Sequence, residues 1–382
     1  MRLCHNDRVT RRWIARTALL LTAAIVVLVP APRAWVEQVY VHRIYARLQP
    51  AFTAIGNVMP FAIFDLLLIL CLTWILTRWL WRRREQRLLG HRTTWIGGAG
   101  VLLVDIVLLA AALLVWFELT WGLNYQRIPL RQRVDYADDR ITAAQVTAMT
   151  FHAVREMNRL HAEASRAPWP SWHDLPATLG PAFVRAQRSL ATGWDARPGS
   201  PKWTMLDFYF RLASVDGMTN PFALEVLVNN GVEPFERPFI TAHEWGHLAG
   251  AAHEAEASFL GWLTCLHGDA QAQYSAWLAM YGHLAASAPR SIYPALNAAL
   301  EPGPRRDLTA IARRVRSQAM PEIRTFAWTT YDRFLKANRV SEGIVSYDGV
   351  TKLVVGTHVP GVWPPAALAS APADPPVDEP RK

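Results

Sequence analysis

Two histidines four residues apart, His243 and His247, bracket Glu244 in an H-E-x-x-H pattern. On a helix, positions i and i+4 share one face, so both imidazoles can reach one metal ion. A glutamate beside the first ligand can hold a water polarised by that ion and take its proton. The chemistry this spacing points to is zinc-dependent hydrolysis. Zinc needs a third protein ligand and keeps a fourth position open. Three residues downstream could supply it. His253 completes the longer spacing H-E-x-x-H-x-x-G-x-x-H, while Glu254 or Glu256 would make a glutamate-type site.

None of the three can be reached along an unbroken helix. Glu254 is seven residues past His247, about 10.5 Å further along a helix axis. A break near Gly250 is therefore required, and a glycine there is a natural helix stop. Pro238 suits the first turn of the same helix. These features, with the acidic residues downstream, disfavour the plain alternative of two surface histidines on an ordinary helix. A second helix is expected over about 254–267, burying Phe259, Trp262, Leu263 and Leu266.

The elements around this pair are mostly helical in pattern. Residues 141–165 place Val146, Met149, Val154, Met157 and Leu160 at helical spacing, with Asp138 or Asp139 near the start. Further helices are expected near 182–191, 271–287, 291–300, 307–319, 321–338 and 346–355. Residues 204–212 are ambiguous between strand and helix, and 225–230 read as a short strand ended by Gly231. A strand just ahead of the site helix could receive an extended substrate along its edge. From His358 onward the chain is rich in Pro and Ala and reads as a disordered tail.

Before residue 120 the chain changes character. The 382 residues are 51% hydrophobic, and the apolar ones collect in three early blocks, near 13–29, 61–81 and 95–117. The second and third are long enough to span a bilayer; the first is at the short limit and reads as a signal anchor rather than a cleaved signal peptide. Tryptophans flank the blocks, as an aromatic belt would. Residues 1–12 carry four arginines against one aspartate, and residues 78–92 carry six against one glutamate. These two runs hold nearly all of the net charge of +9, and both abut apolar blocks. That is the positive-inside pattern, not a nucleic-acid patch. It puts the N-terminus and the 82–94 loop in the cytoplasm and everything after residue 118 outside it. Residues 31–60 are expected to form an external helix. Asp65 and Asp105 lie within the apolar blocks without an assigned role. The site helix itself is too short and polar for an intramembrane protease. Three cysteines are too few for a disulfide framework.

Four segments, WGLNYQRIPL (121–130), NPFALEVLVN (220–229), FITAHEWGHLAG with EAEASF (239–259) and YDRFLKANRVSEGIVSY (331–347), make the chain resemble the bacterial family called domain of unknown function 3810. The resemblance implies N-terminal spans and a zinc-peptidase-like domain. The family pattern after the second histidine is similar to G-x-x-x-E-x-E-A-N-F. Glu254, Glu256, Ala257 and Phe259 fit it, and Ser258 stands where Asn is expected. On this resemblance Glu254 becomes the leading third ligand, Glu256 the runner-up, and His253 falls behind. Tyr347 and Tyr331 in the fourth segment are candidates for the donor that stabilises an oxyanion. Asn229 and Glu225 are weaker candidates for positioning substrate or a ligating histidine.

The sequence thus predicts a predominantly α protein. A cytoplasmic tail (1–12) and a membrane domain (13–117) precede an extracytoplasmic zincin-like domain (118–357) with at most a small β element, then a tail (358–382). The expected activity is a Zn2+-dependent metallopeptidase of the inner membrane. His243, His247 and Glu254 would hold the metal, with Glu244 and Tyr347 catalytic. Its expected partners are a cell-envelope peptide or protein and the lipid bilayer, with no nucleic acid. The competing expectation is a non-catalytic zincin-like scaffold.

Overall fold

The computed structural model describes residues 2–88, 95–340 and 349–364. The chain opens with α1 (Arg2–Leu28), a bent helical run made of α2 (Arg33–Trp35), a π-helical stretch Val36–Tyr45 and α3 (Ala46–Val58), then α4 (Ile63–Leu88) and α5 (Trp95–Thr120). Next come β1 (Asp135–Tyr136), α6 (Ala143–Ala164), α7 (Leu175–Ser189), β2 (Pro201–Lys202), α8 (Asp207–Ala213), β3 (Gly217–Asn220) and β4 (Glu225–Val228). The rest comprises α9 (Arg237–Leu248), α10 (Glu254–Leu266), α11 (Ala270–Ser287), α12 (Tyr293–Ala299), α13 (Pro302–Gln318), α14 (Pro321–Ala337), α15 (Gly349–Gly356) and β5 (Thr357–His358).

Among the described residues the protein is mostly helical, as expected, with two small sheets. One pairs β1 with β5 antiparallel; the other runs β2-β4-β3, parallel then antiparallel. The strand expected over 225–230 exists as β4, but it is the central strand and wholly buried, so it offers no edge. The edge nearest the site helix belongs to β3. The ambiguous 204–212 segment resolves as α8, because Phe210 turns into the core on a helical turn.

Among the described residues two helices are long and apolar enough to cross a membrane, Ile63–Glu85 and Leu102–Thr120. The first expected span does not qualify by itself. It does so only as a bent pair, Arg11–Leu28 with Arg33–Val58, kinked by 108°. The second limb of that pair is not a membrane segment in packing terms. Val36, Tyr40, Val41 and Tyr45 are fully buried in one core with Phe259, Trp262 and Val154 of the domain. Tyr45 donates to the carbonyl of Leu248, Thr53 to that of Leu224, and Gln49 to that of Arg197. Residues 31–60 are therefore helical, as expected, and they build the interior of the domain that follows residue 118. A boundary at residue 118 divides the sequence and not the core. Periodicity indicated a helix here, but its partners lie more than a hundred residues away.

Asp138 and Asp139 lie near the start of α6 as expected, in a 3-10 turn, and its cap is Thr142, whose hydroxyl accepts from the Gln145 amide. Two smaller expectations are corrected. The short helix near 182–191 begins earlier, at Leu175, with Pro in its first turn. The tail does not start at His358. Thr357 and His358 pair with β1, and the buried Trp363 indole donates to Val354 O at 2.7 Å and packs edge-on to Trp262. Residues 365–382 lie outside the described residues.

Candidate metal centre

Helices α9 and α10 carry the site, and two glycines let them cross closely. A Cβ on Gly246 would lie 2.7 Å from the Ala257 carbonyl oxygen, and one on Gly261 2.7 Å from the His243 nitrogen. Trp245, fully buried, fixes α9 by donating to Gly199 O at 2.7 Å. The helix stops where the sequence required. Gly250 has φ +82°, its amide donates to His247 O, and the Ala251 amide donates to Gly246 O. This is the paired 5→2 and 6→1 bonding of a Schellman turn, and the left-handed residue in it favours glycine. Four residues later α10 begins with Glu254.

The turn brings His243, His247 and Glu254 together, with one ligand atom from each within 4.8 Å of the others. Glu254 Oε2 lies 3.2 Å from His243 Nε2 and 3.5 Å from His247 Nε2. Both imidazoles are oriented through their other nitrogen. His247 Nδ1 is 2.8 Å from Ala251 O, and His243 Nδ1 is 3.1 Å from Ser258 Oγ. Ser258, at the position where the resemblance expected Asn, thus faces a histidine. Tyr331 donates to Glu254 Oε1 and stacks on Phe334.

Glu256 points away, accepting from the Leu130 amide at 2.7 Å and lying 3.8 Å from Arg133. His253 ends the turn, its ring 6.5 Å from that of Tyr125. Among the described residues no second trio of His, Cys, Asp or Glu lies this close. Tyr347 lies outside the described residues.

Glu244 is buried, and Thr219 on β3 holds it. The Thr219 hydroxyl is 2.9 Å from Glu244 Oε2 and 3.0 Å from Glu244 O. Gly217 leaves the space that the same side chain occupies, since a Cβ there would lie 2.7 Å from Glu244 Oε1. Neither residue was singled out from sequence. The available signal was a glycine inside a strand, which often marks close approach.

The charges are strongly coupled. Burial pushes the Glu244 carboxyl up, against the pull of the two histidines and Thr219. Burial also resists charge on His247, but the Glu254 carboxylate outweighs it and raises the imidazole to about 9. Burial likewise opposes charge on Glu254, and the two imidazoles more than offset it, holding its carboxyl well below the usual range.

The turn itself is braced. Arg127 donates to Ala249 O at 3.1 Å and Gly250 O at 3.3 Å, and pairs with Glu37 at 2.7 Å. Trp121, the residue after α5, has its ring 6.0 Å from that of His247. The segment 121–130 thus acts as a strut behind the turn between α9 and α10. The other weak candidates have structural duties elsewhere. Asn229 donates to Val215 O and accepts from the Gly231 amide. Glu225 accepts from the Ile63 and Phe64 amides, capping α4, and from Lys202 and Asn220. Asp105 pairs with Arg78 at 2.6 Å and Arg82 at 3.4 Å, joining the two apolar helices.

Taken together these features define a mostly helical, membrane-associated protein with a His-His-Glu cluster, buried at His247 and Glu254 and partly buried at His243, beside a fourth, carboxylate-bearing residue. The chain belongs to the family described as protein of unknown function (DUF3810), whose model matches residues 40–355. The match includes α4 and α5 with the domain, so the family unit spans both. No curated protein and no solved structure matches the chain.

Proposed function

We propose that this chain is a membrane-anchored, zinc-dependent metallopeptidase whose site opens on the extracytoplasmic side. The observation that carries the reading is the convergence of His243, His247 and Glu254, with both imidazole Nδ1 atoms already engaged. Ligand atoms around a tetrahedral ion with bonds of about 2.0–2.1 Å are about 3.3–3.4 Å apart. The separations of 3.2 and 3.5 Å fit that spacing. The donor set of two neutral imidazoles and one carboxylate suits zinc with one position left open. Each ligand also has the outer partner such sites use: Ala251 O, Ser258 and Tyr331.

When bound, zinc supplies positive charge that polarises a peptide carbonyl and acidifies water. The residues do the rest. Glu244 accepts the proton of the attacking water and delivers it to the leaving amine. Thr219 keeps the carboxylate aimed. Strand β3 pairs only with β4 among the described strands, which leaves its outer edge for an extended peptide. The orientation rests on the arginine runs, and three helix ends support a single exit face. Arg339 donates to Val27 O, Glu225 caps Ile63, and Trp116 donates to Phe222 O.

The test uses the full chain purified in detergent. We expect about one zinc per chain, cleavage of a peptide library, and a Glu244→Gln variant that keeps zinc and loses cleavage. Absence of stoichiometric zinc would sink the reading. Zinc without cleavage of any peptide would favour a scaffold.

A further inference from the structure

Three large apolar side chains face solvent within six residues: Trp203 is 56% exposed, Met205 53% and Phe208 73%. They belong to α8 and the turn leading into it. Phe210, also on α8, is buried with Ala62 and Leu227, so this segment already has a packed core side. The exposed set is a second, unpartnered side.

Its location relative to α4 is fixed by three hydrogen bonds. Lys202 Nζ donates to Phe61 O at 3.1 Å, Thr204 Oγ1 to Asp65 Oδ1 at 2.6 Å, and the Met205 amide to Asp65 Oδ2 at 2.9 Å. Ile63 opens the apolar stretch Ile63–Glu85. Residues 202–205 are therefore stitched, one pair after another, to the first turn of a helix able to cross a bilayer. Asp65 is the only acidic residue in that turn, and the stitched segment supplies the donors its carboxylate needs. Phe61, at the same level, is 47% exposed. Arg211, three residues on from Phe208, keeps a 42% exposed side chain. Aromatic and long apolar side chains with a flanking arginine are the composition of a membrane–water boundary.

We propose that the segment Trp203–Phe208 is immersed in the interfacial layer of the bilayer, beside the entry point of α4. The occupant is lipid, because the patch is continuous with the span through its own hydrogen bonds and needs no further partner to be covered. The short helix lies on the membrane in the manner of an interfacial anchor, adding a contact that the spanning helices alone do not make. It also sets the height of the next element, because β3 begins four residues after α8 ends. The inference rests on α4 crossing a membrane and not on any catalytic activity.

The test places a single spin label at Phe208→Cys, and separately at Met205→Cys, in the full chain with Cys4 and Cys71 replaced by Ala. Cys265 is fully buried and stays. The protein is reconstituted in vesicles of phosphatidylcholine and phosphatidylglycerol. Collision with oxygen is compared with collision with a water-soluble nickel chelate. Reference labels sit at Leu70→Cys on the apolar face of α4 and at Arg159→Cys on the exposed face of α6. We expect an oxygen-to-nickel ratio at 208 and 205 several-fold above that at 159 and approaching that at 70. A ratio like that at 159, with a lipid-like value at 70, would overturn the proposal alone. Protection from both reagents would overturn it in favour of a protein partner or a second copy. A water-like value at 70 would remove its premise and overturn it together with the membrane reading.

Discussion

Tyr331 donates its hydroxyl to Oε1 of Glu254, while Oε2 of the same carboxylate faces His243 and His247. A residue on α14 therefore orients the carboxylate that begins α10. Tyr331, a candidate oxyanion donor by sequence, is tied in the fold to a ligand candidate. Partners of this kind alter metal affinity by about 10–100-fold when removed. Tyr331→Phe should weaken zinc binding in that range while leaving the fold intact. Competition against a chelator of known affinity, with circular dichroism alongside, measures both. Unchanged affinity would mean that Glu254 needs no support.

Zinc binding should be coupled to proton release. The metal-free His247 imidazole is raised to about 9, so at pH 7 it is protonated and an ion must displace the proton. Affinity then climbs as pH rises and levels off once pH passes about 9. Calorimetry at pH 7 in buffers of different ionisation enthalpy should report about one proton released per ion. Affinity that stays flat between neutral pH and 9 would contradict the coupling.

Thr219→Val tests the hold on the base. The change keeps side-chain shape and removes the hydroxyl that faces Glu244 Oε2. That hydroxyl favours the ionised carboxylate, so its loss lets the Glu244 carboxyl rise further. In an active preparation the acidic limb of the kcat profile should move to higher pH, with zinc content unchanged. A fall in zinc content would mean instead that β3 supports the ligands.

Gly250→Ala should cost about 1–3 kcal/mol through left-handed strain. A Cβ there would also lie 2.6 Å from Arg127 Nη1 and 2.8 Å from Asn124 Oδ1. Since Ala251 O orients His247, the variant should lose zinc affinity along with thermal stability. A variant with a lowered Tm and full zinc affinity would show that the turn serves folding alone.

The features legible in the sequence were local. The H-E-x-x-H spacing, the Pro238 start, the Gly250 stop and the need for a second helix come from helix geometry within about 25 residues of chain. The choice of Glu254 over Glu256 came from the family resemblance, and in the fold Glu256 is drawn away by the Leu130 amide. The features that stayed hidden were long-range. Thr219 and Gly217 meet Glu244 across a strand–helix contact, and Glu225, offered as a site residue, caps the long apolar helix α4. The burial of Val36 and Tyr40 depends on residues from Phe117 onward, far along the chain. No short-range period encodes such meetings.

The helix over residues 33–58 precedes α4 and α5 in the chain, yet it fills the interior of a domain whose other helices come after them. That order bears on biogenesis. As the chain emerges, Val36, Tyr40, Val41 and Tyr45 have no cavity to enter until residues beyond 120 have been made. The domain cannot close before α4 and α5 have both been made. Nor can a single cut after α5 separate it whole, because the downstream piece would leave part of its own core behind.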